Sequence, residues 1–226
     1  MADTFQRARS EEQRAVRRRA ILDTAGAMLG QMPVAQLSLN ELSRRVGLAK
    51  SNVLRYFESR EAVLLELLAG ATEELLDHLD AALSEAVDAG APVSERADQV
   101  AATMAGALAD RPVLCDLISA QAAVLERNVS TQVATEYKRA SVTQAFTLAH
   151  QVRRHLPELD ERDSVRFVAG ALMMVMAAWP HAHPSAAVLA VYESEPELAV
   201  LRVDFRTALR ESLEIQLSGL LARASR

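Results

Sequence analysis

A long stripe of apolar residues, spaced three and four positions apart, is the feature of this chain that most constrains its fold. The stripe follows Ser59, and no proline interrupts it. Side chains at this spacing share one face of an α-helix, which is buried against other helices. The pattern therefore predicts a long amphipathic helix that begins at Ser59 and ends near residue 83. The apolar members of the stripe are Leu64, Leu67, Leu68, Ala71, Leu75, Leu79 and Leu83.

The composition extends this helical prediction to the whole chain. The 226 residues are 50% apolar but only 4% aromatic, with eight glycines and seven prolines. Strands favour aromatic and β-branched residues in alternation, and no stretch of this sequence alternates convincingly. A chain of this length and apolar content builds a substantial core, either as one large domain or as a small domain joined to a medium one. We therefore expect an all-α fold.

Several classes of protein and site are excluded by what the sequence lacks. A single cysteine forms neither a disulfide framework nor a cysteine-based zinc site. The longest apolar run, Ala169–Trp179, is too short to span a bilayer, and residues 1–30 contain no apolar signal core. No Gly-rich phosphate loop or hydrolase motif is present. We expect a cytoplasmic protein that is not an enzyme, binds no membrane and carries no cofactor or metal.

Charge is divided unevenly along the chain. Residues 1–60 hold eleven Lys or Arg against six acids, a balance of +5, whereas the remaining residues have a balance of −10. A small basic region joined to an acidic body is typical of proteins in which only the basic region meets a polyanion. Ordinary solvated helix faces would give the same charges, so both interpretations stay open at this point.

Two short helices are predicted directly before the long one. Ser38-Leu-Asn-Glu41 forms a capping box that begins the first, and Gly47 stands where a left-handed residue ends it. The second covers residues 50–57. Two short helices with a tight Gly-containing turn predict a helix-turn-helix, in which the first helix braces the second. The outward positions of the second suit phosphate oxygens and base edges; they are Lys50, Ser51, Asn52, Arg55 and Tyr56.

A third helix completes this N-terminal region. Ser10-Glu-Glu-Gln13 is a further capping box, which predicts that the first helix begins at Ser10 and ends before Pro33. Residues 1–10 are predicted to form a flexible basic N-terminus, with entry of Arg7 and Arg9 into a minor groove as an alternative. Along this helix, Arg17–Arg19 either contact flanking phosphates or belong to a solvated face. The predicted domains are residues 11–58 and residues 59–226, with residues 59–83 as a connecting helix.

The order of residues from Leu39 to Leu65 resembles the DNA-binding region of the tetracycline-repressor (TetR) family. The core of the resemblance is Val-Gly-Leu followed by Tyr-Phe-x-Ser-Arg-Glu-Ala, and it extends over roughly residues 14–68. It implies a three-helix DNA-binding head that a long helix joins to a larger helical domain for ligand binding and dimerisation. The rest of the chain resembles the family only in its helical character and its length.

The resemblance also implies individual roles. The start of the second short helix touches bases, the residue one turn later reaches a base edge or a phosphate, and the aromatic after it contacts the DNA backbone. Residues at the starts of the first short helix and of the long helix bind phosphate, aided by outward-pointing amides. The base contacts at the start of the second short helix are assigned to Lys50, Ser51 and Asn52, and the contact one turn later is assigned to Arg55. The contact of the aromatic residue with the DNA backbone is assigned to Tyr56. The phosphate contacts at the two helix starts are assigned to Ser38 and Arg60.

Two positions depart from the family pattern. Leu54 stands where tyrosine is frequent, which removes one phosphate contact. Ala49 stands where serine or threonine often caps the recognition helix, at a cost of about 1 kcal/mol. Tyr56 has the alternative of half-buried packing with its hydroxyl in water. These departures favour a second hypothesis for the function, an all-α ligand-binding or scaffolding dimer whose head no longer binds DNA.

The acidic body is predicted to contain six more helices, near residues 94–109, 111–127, 131–156, 161–179, 185–193 and 197–222. The segment 165–179 is apolar nearly all round, which predicts burial on two sides. The last helix offers an apolar seam of Phe205, Leu209, Leu213, Leu217 and Leu220. Both features indicate that a partner covers part of the surface. With the resemblance, they imply a homodimer through helices near 161–179 and 203–222, with a four-helix bundle at its centre.

Three side chains are candidates for a ligand pocket in the body, because the resembled family binds small apolar molecules there. Gln121 interrupts an apolar run, and Met176 and Trp179 lie near the end of a helix. Plain core packing explains all three equally well. The expectation is a homodimeric, sequence-specific regulator of transcription. It occupies a palindromic double-stranded DNA operator as a repressor, and a small-molecule effector releases it.

An enzymatic alternative rests on His181 and His183, which lie between two prolines. Two histidines without a nearby carboxylate or cysteine make an incomplete metal site. Cys115 lies among apolar residues and is predicted to be a core thiol.

Overall fold

The computed structural model describes the backbone of residues 2–224 and the side chains of residues 12–223, and these residues contain no strand. The prediction of an all-α fold is confirmed. The described residues form ten α-helices and three short 3-10 helices, which lie at Val34–Gln36, Leu125–Arg127 and Pro196–Leu201. The α-helices are α1 (Ala2–Leu29), α2 (Leu39–Val46), α3 (Lys50–Val53), α4 (Arg60–Ala86), α5 (Val93–Ala109), α6 (Pro112–Ala120), α7 (Thr131–His155), α8 (Glu161–Ala182), α9 (Ala186–Ser194) and α10 (Phe205–Ala224).

The chain forms two compact units. The first combines the residues up to Ala69 with residues 120–137, and the second combines residues 70–119 with the residues from Lys138 onward. The first unit therefore includes α1, α2, α3 and the start of α4. The functional boundary expected at residues 58 and 59 stays a prediction.

Apolar side chains from successive helices make the core of the first unit. Helix α1 packs against α2, and α2 packs against α3. Ile21 and Met28 of α1, Leu42 of α2 and Val53 of α3 are completely buried, and Phe57 closes the core after α3. The predicted three-helix arrangement is thus held together by the apolar positions that the sequence pattern indicated.

Helix α1 begins earlier than expected. Its backbone is helical from Ala2, so Ser10 lies inside the helix and the predicted capping box is wrong. The flexible N-terminus expected over residues 1–10 stays a prediction. The segment contains strong helix formers and neither Gly nor Pro, which allows the helix to continue toward the N-terminus. The side chains of Arg7 and Arg9 lie outside the described residues.

Helix α3 is shorter than the predicted helix over residues 50–57. It ends at Val53, and the chain continues in tight turns in which the amide of Arg55 donates to the carbonyl of Asn52 at 3.2 Å. The amides of Tyr56 and Phe57 both donate to the carbonyl of Val53, at 2.9 and 3.1 Å. The turns tighten the helix end and bring the ring of Phe57 into the core.

The second unit is built around α10, which packs against α5 and α8. The seam of α10 is buried within the subunit itself, at Phe205, Leu209, Leu213, Leu217 and Leu220. The expectation that a partner subunit covers this seam is therefore wrong, because α5 and α8 of the same chain already do so. An apolar stripe has the same pattern in both situations.

Helices α8 and α10 approach closely at Gly170. A Cβ atom at this position would lie 2.0 Å from Nε2 of Gln216. The absence of a side chain lets Gln216 reach across and donate to the carbonyl oxygen of Arg166 at 3.2 Å. This side-chain bond joins the two helices beside Gly170.

Within the subunit, helix α8 is buried on one side, and burial of its other side against a partner stays a prediction. Phe167, Ala171 and Val175 are buried, whereas Ala169 and Met173 on the outward face are exposed. Among the described residues, α8 is also the one helix whose length and composition would allow it to cross a membrane. Interface helices of soluble proteins have the same composition.

Four of the predicted helix starts have side-chain caps. Side-chain oxygens of Ser38, Ser59, Ser130 and Asp160 accept from the amides three residues on, at 2.7 to 3.3 Å. The predicted last helix differs: residues 196–201 form a 3-10 helix, and α10 begins only at Phe205, where Asp204 accepts from the amide of Thr207. The predicted helix over residues 111–127 also ends early, at Ala120.

Candidate nucleic-acid interface

The turn between α2 and α3 fixes the position of residues 50–57, which we call the candidate reading segment. Gly47 has φ 73°, in the left-handed region that glycine adopts without strain. Its amide donates to the carbonyl of Arg44 at 3.2 Å, and the amide of Leu48 donates to the carbonyl of Ser43 at 3.0 Å. These two bonds form a Schellman motif, which ends α2 sharply, and α3 begins three residues further along the chain.

Helix α3 and its following turn present polar side chains outward. Val53 and Phe57 face the core, whereas Lys50, Ser51, Asn52 and Arg55 are exposed. Within the described part of the chain, none of these four exposed side chains makes a hydrogen bond or an ion pair. The segment therefore offers donors and acceptors to an external partner, as the helix-turn-helix pattern predicted.

The two departures from the family pattern are visible at this segment. Ala49 precedes α3 with an extended backbone and provides no side-chain cap. Leu54 is 41% exposed and packs in no core. Tyr56 is half-buried, which fits both of the roles considered for it. Ser38 is exposed, and its hydroxyl accepts from the amide of Glu41 at 3.2 Å.

A basic groove runs between α1 and the turn after α3. Its volume is about 880 Å³, and a smaller recess of about 240 Å³ adjoins it. Arg17 and Arg55 line both, so one arginine of α1 and one of the reading segment face the same space. Opposed guanidinium groups in an open groove are suited to bind a phosphodiester backbone. The groove is lined by Glu12, Gln13, Arg14, Val16, Arg17, Ala20, Arg55 and Tyr56, and the recess adds Leu48 and Asn52.

Arg18 has an internal role that the sequence did not indicate. Its guanidinium donates through two nitrogens to the carboxylate of Glu66, one bond at 3.0 Å, and to the carbonyl oxygen of Tyr56 at 2.7 Å. It also stacks on the ring of Phe57. Arg19, by contrast, pairs with Asp23 on the surface. The three consecutive arginines therefore divide into a groove residue, an internal contact and a surface pair.

Arg60 is engaged within the protein. Its guanidinium donates to the carbonyl oxygen of Val34 and pairs with Glu61 at 3.2 Å, and its side chain is only 18% exposed. Its Nε atom is buried without a hydrogen-bond partner. These contacts hold the 3-10 helix at Val34–Gln36 against the start of α4. They leave little of the side chain for the phosphate contact that the resemblance implied.

Glu41 forms ion pairs with both arginines at the end of α2. It accepts from Arg44 at 2.6 and 2.9 Å and from Arg45 at 3.0 Å. Hydrogen bonds from Arg44 and then Arg45 lower the pKa of Glu41 to about 2. Arg45 also donates to the amide oxygen of Gln31 at 2.8 Å. Both arginines thus belong to a surface network that complements the negative end of the helix.

The three ligand candidates lie in different units. In the first unit, Gln121 is buried and donates to the carboxylate of Glu126 at 2.7 Å. In the second, Trp179 is buried and packs edge-on against Phe205, with ring centroids 4.9 Å apart, while Met176 is half-buried. Gln121 and Trp179 have a hydrogen-bonding and a packing role inside their own units, and lining of a pocket stays a prediction for all three residues.

The remaining reactive side chains have local roles. His183 lies against the ring of Trp179, with its Nδ1 atom 3.0 Å from the carbonyl oxygen of that residue. No cluster of three or more potential metal ligands occurs among the described residues. Cys115 is buried, as predicted, and donates to the carbonyl of Leu108 at 3.3 Å. Burial raises the pKa of its thiol to about 12, which makes it unreactive.

Comparison with known proteins gives matches over nearly the whole chain. A family model described as "Bacterial regulatory proteins, tetR family" matches residues 21–67, and one described as "Tetracyclin repressor-like, C-terminal domain" matches residues 69–224. A relative is the nucleoid occlusion factor SlmA of Marinomonas sp. (strain MWYL1), which is 24% identical over 155 residues. This match covers 68% of the present chain and 73% of the relative.

Two solved structures share the fold. The fatty acid degradation regulator FadR from Bacillus halodurans has a TM-score of 0.56 at 16% identity, with coverage of 89% of this chain and 98% of that one. The transcriptional regulator FadR from Bacillus subtilis, in complex with stearoyl-CoA, has a TM-score of 0.54 at 14% identity. That match covers 88% of this chain and 97% of the other.

Proposed function

Because the chain belongs to the tetracycline-repressor (TetR) family, we propose that it represses transcription as a homodimer bound to a palindromic DNA operator. A small apolar effector releases it from that operator. Regulators of this family bind DNA and small molecules, dimerise and are generally not enzymes. The observation that carries the proposal is the outward set of Lys50, Ser51, Asn52 and Arg55, which have no partner within the described chain. A DNA-binding role places the protein in the cytoplasm.

The chemistry of these side chains suits the major groove. Arginine and lysine bind the acceptor pair on guanine, and asparagine binds the donor and acceptor on adenine. Arg55 and Asn52 are our candidates for such base contacts, with Lys50 and Ser51 beside them. Arg17, which faces the same groove as Arg55, is our candidate for a backbone contact.

Three other residues are assigned to the DNA backbone or removed from the interface. We keep Ser38, at the exposed start of α2, and Tyr56, beside Arg55, as phosphate contacts. We leave Arg60 out of the contact set, because its guanidinium is already bound to Val34 and Glu61.

The homodimer is proposed to form through the outward faces of α8 and α10, since their inward faces are filled. Ala169, Met173 and Ala177 make an exposed stripe along α8, and Ile215 is exposed on α10. Small residues on two neighbouring helices let the same helices of a second copy approach closely and form a four-helix bundle. A twofold dimer would present two reading segments to successive half-sites of one operator.

The effector is proposed to act by favouring a separation of the two heads that no longer matches the half-sites. A typical coupling of about 1–3 kcal/mol lowers operator affinity roughly 5- to 150-fold. Gln121, Met176 and Trp179 remain our candidates for contacts with the effector. A fatty acyl thioester belongs in the first effector screen, since the Bacillus subtilis neighbour was solved with stearoyl-CoA.

Selection of bound duplexes from a random pool tests this function. We expect enrichment of an inverted repeat and a steep decrease of affinity with salt, because phosphate contacts release counterions. The double substitution Lys50→Ala with Arg55→Ala should abolish the enrichment, whereas Arg19→Ala, in a surface pair, should preserve it.

The second hypothesis, a dimer whose head no longer binds DNA, is favoured by the uncapped start of α3 and the exposed Leu54. It predicts that no sequence is enriched and that no salt-dependent binding to genomic fragments occurs. That result would overturn the proposal that the protein is a DNA-binding repressor.

A further inference from the structure

We propose that residues 185–201 form an arm that packs against the second subunit, a proposal that rests on the homodimer described above and enlarges its interface. The arm connects α8 to α10 and consists of α9 and the 3-10 helix Pro196–Leu201. Neither of these helices contains a buried residue in the subunit.

The arm is apolar although it is exposed. Residues 186–191 contain only alanine, valine and leucine. Val191 is 43% exposed and Val200 is 83% exposed, and Val188, Leu198 and Leu201 are also in contact with solvent. Short helices depend on tertiary packing for their stability. Inside the subunit the two helices of the arm pack on each other but bury no residue, so we expect a surface from outside the subunit to supply further packing.

Exposed apolar residues of the second unit are concentrated along one continuous segment. Of eleven large apolar side chains that are exposed among the described residues of this unit, nine lie between residues 172 and 215. This segment runs from the second half of α8 through the arm into α10. The arm is therefore continuous in sequence with both helices of the proposed dimer face. The nine residues are Leu172, Met173, Met174, Val188, Val191, Leu198, Val200, Leu201 and Ile215.

The interface area that a dimer needs also favours a contribution from the arm. A stable interface buries about 800 Å² on each subunit. The exposed residues of α8 and α10 include the small Ala169, Ala177 and Gly219 together with four large apolar side chains, which are Leu172, Met173, Met174 and Ile215. The five exposed valine and leucine side chains of the arm add further apolar area to this surface.

Charge identifies a protein surface as the partner of the arm. The arm contains Glu193, Glu195 and Glu197 and no lysine or arginine. Acidic side chains are repelled by DNA and by anionic membrane surfaces. A second copy offers exposed arginines to these glutamates at Arg162 in α8 and at Arg202 just before α10, although Glu161 lies beside Arg162. Pairs of these arginines with the glutamates would then lie around the apolar centre of the contact.

The dimer dissociation constant of the full chain tests the proposal by sedimentation equilibrium. We expect the double substitution Val191→Glu with Val200→Glu to raise this constant at least about a hundredfold, since each buried charge costs about tenfold or more. The subunit should remain folded, because both positions are exposed within it. The matched control is Val142→Glu on α7, an exposed valine outside the continuous segment, which should leave the constant unchanged.

The outcomes distinguish the arm from the dimer. If the arm variant dimerises normally while Met173→Glu on α8 dissociates the dimer, the proposal that the arm contacts the second subunit is overturned, and the proposed homodimer stands. A wild-type chain that is monomeric at all concentrations overturns both. An equal loss of dimer affinity in Val142→Glu overturns the proposal for the arm, because an added charge then weakens the dimer wherever it is introduced. Wild-type binding to neutral phosphatidylcholine vesicles that the arm variant alone loses, without a change in dimerisation, also overturns it.

Hydrogen exchange provides a test without substitutions. Amides of residues 186–201 should exchange more slowly at concentrations above the dimer dissociation constant than below it. The amides of α5, whose inward residues are already buried in the subunit, provide the internal reference. Exchange of the arm that does not depend on concentration overturns the proposal.

Discussion

Arg18 lies over the ring of Phe57, with its guanidinium carbon 4.2 Å from the ring centroid. The same group donates to Glu66 on α4 and to the carbonyl of Tyr56. One side chain thus joins α1, the turn after α3 and the start of α4. The turn that carries Arg55 is held by an arginine that bonds within the protein, so we expect head stability and the proposed DNA binding to depend on different arginines.

Arg18→Lys should reduce the stability of the protein by about 1–3 kcal/mol, because lysine cannot form the paired bonds to Glu66 together with the bond to the Tyr56 carbonyl. Urea unfolding measures the loss. Arg19→Lys at the neighbouring position is the matched control, and its exposed pair with Asp23 should contribute about 0.5 kcal/mol or less. Equal losses in the two variants would show that Arg18 is not an internal contact.

Arg55→Ala should weaken binding to the selected operator by about 1–3 kcal/mol and relax the preference at one base position. Neither dimerisation nor unfolding should change, because the side chain is exposed and makes no hydrogen bond or ion pair within the described chain. Titration of fluorescent duplexes measures the affinity, and Arg19→Ala is the control. Unchanged affinity would remove Arg55 from the contact set.

Arg17→Ala should weaken binding to all sequences by a similar factor, because a phosphate contact carries no sequence information. The slope of log affinity against log salt should also decrease by about 1. Affinities at several salt concentrations, for the operator and for a scrambled duplex, provide both measurements. A loss confined to the operator would instead make Arg17 a base-reading residue.

Glu41 links the charge network at the end of α2 to pH. Its pKa is lowered from 4.5 to about 2, so its contribution to stability is present above pH 4.5 and disappears as the pH falls toward 2. The difference in unfolding free energy between the wild type and Glu41→Gln should therefore shrink over this range. A carboxyl titration by NMR checks the shift directly, and a midpoint near 4.5 would contradict it.

Local features of the fold were predictable because their causes lie within a few residues. Ser38, Ser59 and Asp160 cap helices through bonds to amides three positions on, and Gly47 ends α2 within the same turn. The outward orientation of the reading segment followed from the same short-range spacing. Such contacts can be inferred from the sequence without knowledge of the tertiary structure.

Features that depend on distant residues were not predictable. Arg18 and Glu66 are 48 positions apart, and Arg60 reaches a carbonyl 26 positions away. An arginine in a basic segment has the same sequence signature whether it faces DNA or a buried carbonyl. The seam of α10 was assigned to a partner for the same reason, since periodicity identifies an apolar face without identifying what covers it.

Four exposed side chains do not contribute to the packing of the head; they are Lys50, Ser51, Asn52 and Arg55. The head is stabilised instead by Val53, Phe57 and Arg18. If these four side chains read DNA as proposed, a mutation among them should alter the preferred DNA sequence with little loss of folding. Selection could thus redirect a duplicated copy to new genes in single steps. A laboratory library restricted to these positions should, for the same reason, consist largely of well-folded regulators with altered targets.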